Sequence, residues 1–195
     1  MSRRTLLLST AVSLGLALWL SPACAQSRSV TVTRVIDGDT IDVVSEGHHQ
    51  RVRLIGIDTP ESRSNQRSLI QANKANITKK EIIKMGSCAH SFTEALLPIG
   101  QQVTLVTDTQ KRDKYRRTLA YVYLPNGQMV NEVIISQGYA YPLTIAPNVL
   151  YEKLFRQRFA DSRKAERGLW SGNPSCTPVE YKESVNSIST TPMIE

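Results

Sequence analysis

Three short stretches concentrate the side chains able to do chemistry: Asp37-Gly38-Asp39-Thr40, the run from Arg53 to Glu61, and Asp113-Lys114-Tyr115-Arg116-Arg117. In the second, Asp58 follows an apolar strand-like run, and Pro60 bends the chain before Glu61. That bend can bring both carboxylates to one rim. Arg53 lies inside an apolar strand pattern, where a guanidinium must meet an anion or water. An ion pair with Asp58 or Glu61 accounts for it as well as a functional role does. Taken singly, Asp37 and Asp39 are ordinary turn residues, and Lys111 to Arg117 is a solvated basic loop. Zinc chemistry is excluded, because there is no CxxC and His48, His49 and His90 have no ligand spacing with a cysteine.

The hydrophobic pattern gives the elements that must position these clusters. Val30, Val32 and Val35 precede the first cluster, Ile41, Val43 and Val44 follow it, and Gly47 turns the chain into Val52, Leu54, Ile55 and Ile57. Three short strands joined by tight turns are predicted over 29–57. The chain then turns polar until Thr78-Lys79-Lys80-Glu81, a capping box that predicts a short helix to Met85 with Gly86 as its stop. A further helix is predicted over 87–97, ended by Pro98 and Gly100. Strand patterns return at Val103, Leu105 and Val106, and from Leu119 to Leu124, before the turn Pro125-Asn126-Gly127. Asn131 is expected to cap a helix running to Gly138, and a last helix is expected over 147–167, with Trp170 packing back beyond Gly168. Five strand segments with helices inserted late describe an α+β fold, a small barrel with helices at one side.

The chain has 195 residues, 41% hydrophobic and 21% charged, enough for one well-buried core, which excludes collagen, coiled coil and wholesale disorder. Lys and Arg number 24 against 17 acids, and the formal charge of +7 favours polyanionic partners. Arg3 and Arg4, the apolar run Leu6 to Leu20, and Ala23-Cys24-Ala25 predict a cleavable signal peptide over 1–25, with cleavage before Gln26. The apolar run is shorter than the ~18–20 residues that span a bilayer. The expected location is therefore extracytoplasmic, periplasm or secreted, with no membrane anchor after cleavage. Removal of the leader leaves Cys88 and Cys176, whose bridging an oxidising compartment permits and the sequence leaves open. One domain is expected over 26–171, followed by a polar tail over 172–195.

Read together, Ile36-Asp37-Gly38-Asp39-Thr40, Arg53 with Asp58-Thr59-Pro60-Glu61, Asp113-Lys114-Tyr115 with Arg117-Thr118-Leu119-Ala120-Tyr121, Val130-Asn131-Glu132 and Gly168-Leu169-Trp170 resemble the staphylococcal nuclease family. The resemblance covers roughly residues 29 to 171. It implies a five-stranded OB-type β-barrel with three helices packed at one side. It implies a Ca2+ ion held by Asp39, Asp58 and the carbonyl of Thr59, with Arg53 and Arg117 on the scissile phosphate and Glu61 on the attacking water. Lys114 and Tyr115 would contact phosphate on the nucleotide. The function implied is that of a monomeric calcium-dependent nuclease hydrolysing DNA and RNA through the phosphate backbone, with little base reading and 3′-phosphate products. The alternative is a non-catalytic nucleic-acid-binding module of the same fold, and the presence of Asp39, Arg53, Asp58, Glu61 and Arg117 together favours the enzyme.

Three features depart from the family pattern. Arg116 stands where members often have glycine. A helical insertion over about 62–85 replaces a shorter loop and could reshape the cleft. The aromatic side chain that stacks a base is unassigned: Tyr139 and Tyr141 lie nearby but out of register, and both can equally be barrel wall.

Overall fold

Strand β1 (Ser27–Asp37) buries Val30, Val32 and Val35, a spacing that breaks strict alternation because bulges between Val32 and Arg34 and between Val35 and Asp37 shift its pairing with β2 (Thr40–Ser45). This computed structural model describes residues 27–171 and Cys176. The expected signal peptide, and the expected tail apart from Cys176, lie outside the described residues. β2 pairs antiparallel with β3 (His48–Leu54), setting Thr40 opposite Arg53. β3 runs parallel to β6 (Thr118–Tyr123), β6 pairs antiparallel with β5 (Gln102–Val106), and β5 closes the barrel on β1, in the order β1-β2-β3-β6-β5. Ile41, Val43, Val52 and Leu54 point inward, fully buried, and each contributes roughly 1.5–3 kcal/mol by leaving water.

The expected third strand is divided. Gly56, at φ +82°, ends the continuous run, so β3 stops at Leu54 and a separate β4 (Gly56–Asp58) pairs with β7 (Tyr141–Leu143) in a two-stranded sheet. A side chain at Gly56 would enter the ring of Phe155. Asp58 is thereby placed at a sheet end opposite Tyr141.

Among the described residues four α-helices accompany the barrel rather than three. The addition is α1 (Gln66–Ala75), within the 62–85 insertion, started by a capping box between Asn65 and Ser68 and ended by Asn76 in the left-handed conformation. The Thr78/Glu81 capping box starts α2 as predicted, but α2 runs unbroken over Lys79–Leu96. Gly86 is not a stop: a Cβ there would collide with the backbone of Glu61 and Ser62. It marks the close approach of α2 to the segment carrying Glu61. One face of α2 supports the first cluster as well, since Thr93 Oγ1 donates to Gly38 O at 2.8 Å and His90 Nε2 lies 3.3 Å from Val35 O.

Asn131 is likewise not a cap. α3 (Val130–Ser136) begins after Met129, and the fully buried Asn131 side chain accepts from Val122 N at 2.9 Å while donating to Ile55 O at 2.8 Å. It fastens α3 to β6 and to the β3–β4 junction. The last helix, α4, spans only Glu152–Lys164, because Asn148 exchanges two hydrogen bonds with the backbone of Gln110 and holds the segment before it as a loop. A single 3-10 turn at Gly168–Trp170 follows, and Trp170 packs against Tyr141 and Phe159 as expected. Cys88 of α2 is disulfide-bonded to Cys176. Among the described residues no helix is long and apolar enough to cross a membrane.

Candidate active site

The β2–β3 register brings Arg53, only 7% exposed, beside the turn that carries Asp39. Its Nη2 lies 3.0 Å from Asp39 Oδ2 and 2.9 Å from Asp58 Oδ1, so one guanidinium nitrogen joins carboxylates 19 positions apart in the chain. Nη1 donates to Leu54 O at 2.6 Å and to Ile57 O at 2.7 Å. The hydrogen bonds to Leu54 O, Ile57 O and Asp58 Oδ1 use three of the five N–H groups of Arg53, the contact with Asp39 is an ion pair, and Nε–H takes part in none of them. The anion that Arg53 requires is thus the Asp39/Asp58 pair and not Glu61. Asp39 is further fixed by Thr59, whose backbone N–H and hydroxyl donate to Oδ2 at 2.9 and 3.2 Å.

The insertion holds the neighbouring loop. Gln71 accepts from Glu61 N at 2.9 Å and donates to Thr59 O at 3.3 Å. Asn65 Nδ2 donates to Glu61 Oε2 at 2.7 Å, and Arg67 Nε lies 3.0 Å from Glu61 Oε1. Arg67 Nη2 also reaches Asp58 Oδ1 at 2.9 Å. Sequence reasoning missed Asn65, Arg67 and Gln71, all on or before the first turns of α1. The Asn65-x-x-Ser68 capping pattern was the available signal that a helix begins there.

The third cluster is organised by Asp113, which the sequence placed in the cluster without a role. Its Oδ1 accepts from Tyr115 N and Arg117 N at 2.9 and 3.0 Å, and its Oδ2 takes Arg117 Nε at 2.7 Å. These bonds, with the opposite charge of Arg117, hold the Asp113 carboxyl below its ordinary value despite some desolvation. The exposed Tyr115 ring has Lys114 Nζ 5.1 Å and Arg117 Cζ 5.5 Å from its centroid. Arg116 adopts φ +64°, which costs a non-glycine residue about 1 kcal/mol or more, and its side chain lines the cleft.

Two adjoining concavities meet here. The larger, about 860 Å³, is lined by Asp37, Asp39, Glu61, Arg67 and Arg117 among others. The smaller, about 380 Å³, is lined by Arg53, Arg67, Lys114, Tyr115, Arg117 and aliphatic Leu143 and Ile145. Of the site residues named from sequence, Asp39, Arg53, Glu61, Lys114, Tyr115 and Arg117 line one concavity or both, and Asp58 and Thr59 bond directly to Arg53 and Asp39. Tyr139 and Tyr141 do not: the first is buried and stacked on Phe92, and the second packs on Trp170 and Phe159. Both are wall.

Three carboxylates, Asp39, Asp58 and Glu61, pair with the two guanidiniums of Arg53 and Arg67, and Asp37 lies near enough to Asp39 and Glu61 to feel their charge. Burial first, and then the charge of Asp39, raise the Asp58 carboxyl above its ordinary value even with Arg53 and Arg67 alongside. Asp37 is raised by burial and by Asp39 and Glu61. Among the described residues no three acidic, imidazole or thiol groups form a closed metal cage. Asp39 Oδ2 and Asp58 Oδ1 converge on one point, the Nη2 of Arg53, while the Thr59 carbonyl accepts from Gln71; carboxylate and carbonyl oxygens of this kind are the donors a hard divalent cation takes.

Residues 51–172 match the family model described as Staphylococcal nuclease homologue. The chain is 35% identical over 147 residues to the thermonuclease of Staphylococcus hyicus, covering 75% of this chain and 78% of that protein. It is 36% identical over 145 residues to the thermonuclease of Staphylococcus intermedius, covering 74% and 77%. It is also 32% identical over 146 residues to endonuclease YncB of Bacillus subtilis, covering 73% of this chain and 62% of that protein.

Proposed function

Because the chain belongs to the staphylococcal nuclease family, we propose that it is a calcium-dependent phosphodiesterase, exported and monomeric, that hydrolyses DNA and RNA with little sequence preference and leaves 3′-phosphate ends. The observation that carries this reading is the Arg53 guanidinium bound at once to Asp39 and Asp58, in a cleft also lined by Arg117, Lys114 and Tyr115. Asp39, Asp58 and the Thr59 carbonyl would hold the cation. When bound, calcium supplies Lewis-acid polarisation of the phosphodiester and a site for water.

The chain's own groups do the rest. Attack by water adds negative charge to the phosphoryl oxygens, and Arg117, with Nε on Asp113, keeps its terminal nitrogens for that charge as it develops. Arg53 contributes its Nε–H and its charge while keeping the two aspartates in place. Glu61 orients the attacking water and accepts its proton, its carboxylate held by Asn65 and its backbone by Gln71. Lys114 and Tyr115 contact phosphate from the exposed loop, with Arg116 beside them. Contacts of this kind bind the backbone without reading bases.

The test is digestion of single-stranded DNA by the purified protein with calcium. Activity should stop on addition of EGTA and fall at least about a hundredfold in Arg53→Ala and Glu61→Ala. The fragments should resist 3′-end extension until treated with a phosphatase. No digestion at millimolar calcium, with DNA binding that persists and weakens as salt rises, would leave a nucleic-acid-binding module instead.

A further inference from the structure

Arg67, like Arg117, lines both concavities, and among the described residues it is the arginine that touches both the Asp58 and the Glu61 carboxylates. Its side chain is half exposed, at 51%, whereas the Arg53 side chain is 8% exposed. The two arginines therefore differ in kind. Arg53 is held by two backbone carbonyls besides its carboxylates and cannot leave without stranding buried groups. Arg67 pairs with Asp58 Oδ1 and Glu61 Oε1, on carboxylates whose side chains are 23% and 13% exposed. Its own end of these pairs lies in solvent, which makes them weaker than the buried pairs of Arg53.

Asp58 Oδ1 is shared between Arg53 and Arg67, and it belongs to the carboxylate that would ligate the cation. A guanidinium and a divalent ion drawing on the same oxygens compete for them. The ion brings two positive charges to these carboxylates where Arg67 brings one. Displacement would turn a long, half-exposed cationic side chain, anchored in the first turn of α1, toward the open part of the cleft.

We propose that Arg67 is an internal competitor of the divalent cation and that, once displaced from Asp58 and Glu61, it becomes a third phosphate-binding guanidinium beside Arg53 and Arg117. The inference rests on the metal-dependent reading of the site. It gives the insertion two roles, since Asn65 and Gln71 position the Glu61 loop permanently while Arg67 changes partners as the site fills. Cation loading and substrate binding are thereby coupled through one side chain, because release from the carboxylates is what frees Arg67 for the nucleic acid.

Calcium calorimetry without nucleic acid tests this on the folded, disulfide-bonded protein and on Arg67→Gln and Arg67→Lys. Arg67→Gln should bind calcium about three- to tenfold more tightly, with Arg67→Lys close to the wild type. In digestion assays Arg67→Gln should show a KM for single-stranded DNA raised several-fold, more than kcat falls, and a log–log salt dependence shallower by about 0.7. Calcium affinity that is unchanged or weaker in Arg67→Gln overturns the proposal and makes Arg67 a strut of the Glu61 loop. Tighter calcium with unaltered KM and salt slope overturns the hand-over to phosphate. A wild-type protein that binds no calcium at millimolar concentration overturns the metal reading of the site itself, a failure distinct from either.

Discussion

Gly86→Ala sets two effects of opposite sign against each other at one atom. In an exposed helix, alanine is favoured over glycine by about 1 kcal/mol, so the substitution in the middle of α2 would be stabilising if only the helix counted. The structure puts the new methyl onto the carbonyl of Glu61 and 2.5 Å from Ser62 N. Backbone atoms cannot swing aside as a flexible side chain can, and overpacking of this kind costs about 1–3 kcal/mol. The collision should prevail, leaving a net loss of up to about 2 kcal/mol. The displaced group is the backbone of Glu61, so activity should fall further than stability does; a shift of about 1 Å at a catalytic group can cost about a hundredfold. Urea unfolding gives the first quantity, and kcat on single-stranded DNA with calcium gives the second. A variant about 1 kcal/mol more stable than wild type, cutting at full rate, would refute the close-approach reading of Gly86.

Asn131→Ala should lower stability by about 2–4 kcal/mol, because it strands the buried Val122 N–H and Ile55 carbonyl together; a urea midpoint close to wild type would show that these groups find other partners. The Asp113 carboxyl is held below its ordinary 3.8 in the folded protein, so what it adds to stability is present in full above that value and is lost as pH falls through the folded value. The Tm gap between wild type and Asp113→Asn should therefore be constant from pH 7 to about 5 and close on further acidification, and a gap that widens below pH 4 would contradict this.

What was legible in the sequence was legible because it sits at strand ends. Asp39, Asp58 and Glu61 lie where an apolar run breaks, Arg53 stands out as a charge inside one, and the β2–β3 register carries Arg53 to Asp39 without help from distant contacts. Arg117 was readable within a basic loop, but the residue that fixes it, Asp113, looked like any turn acid. Asn65, Arg67 and Gln71 fall in a polar stretch with no hydrophobic period, and only the tertiary approach of α1 to the Glu61 loop gives them partners. Gly86 and Asn131 were misread for one reason: their residue types have strong local meanings, stop and cap, and here a long-range contact decides their use. The expected separate helices over 78–85 and 87–97 merged on that account. The barrel itself was foreseen, whereas the small β4–β7 sheet was not, since Tyr141–Leu143 carries too short a pattern to declare a strand.

The barrel closes late in the order of synthesis. β1 at 27–31 waits for β5 at 102–106, and β3 at 52–54 waits for β6 at 118–120. A growing chain thus possesses most of its acids, and Arg53, well before it owns the walls that shape them, and the entropic toll of joining ends so far apart falls due before any reward arrives. Fragments truncated ahead of Thr118 have no lateral partner for the carboxyl end of β3 beyond β2. Competence should come abruptly, at the far end of translation, with no half-working precursor on the way.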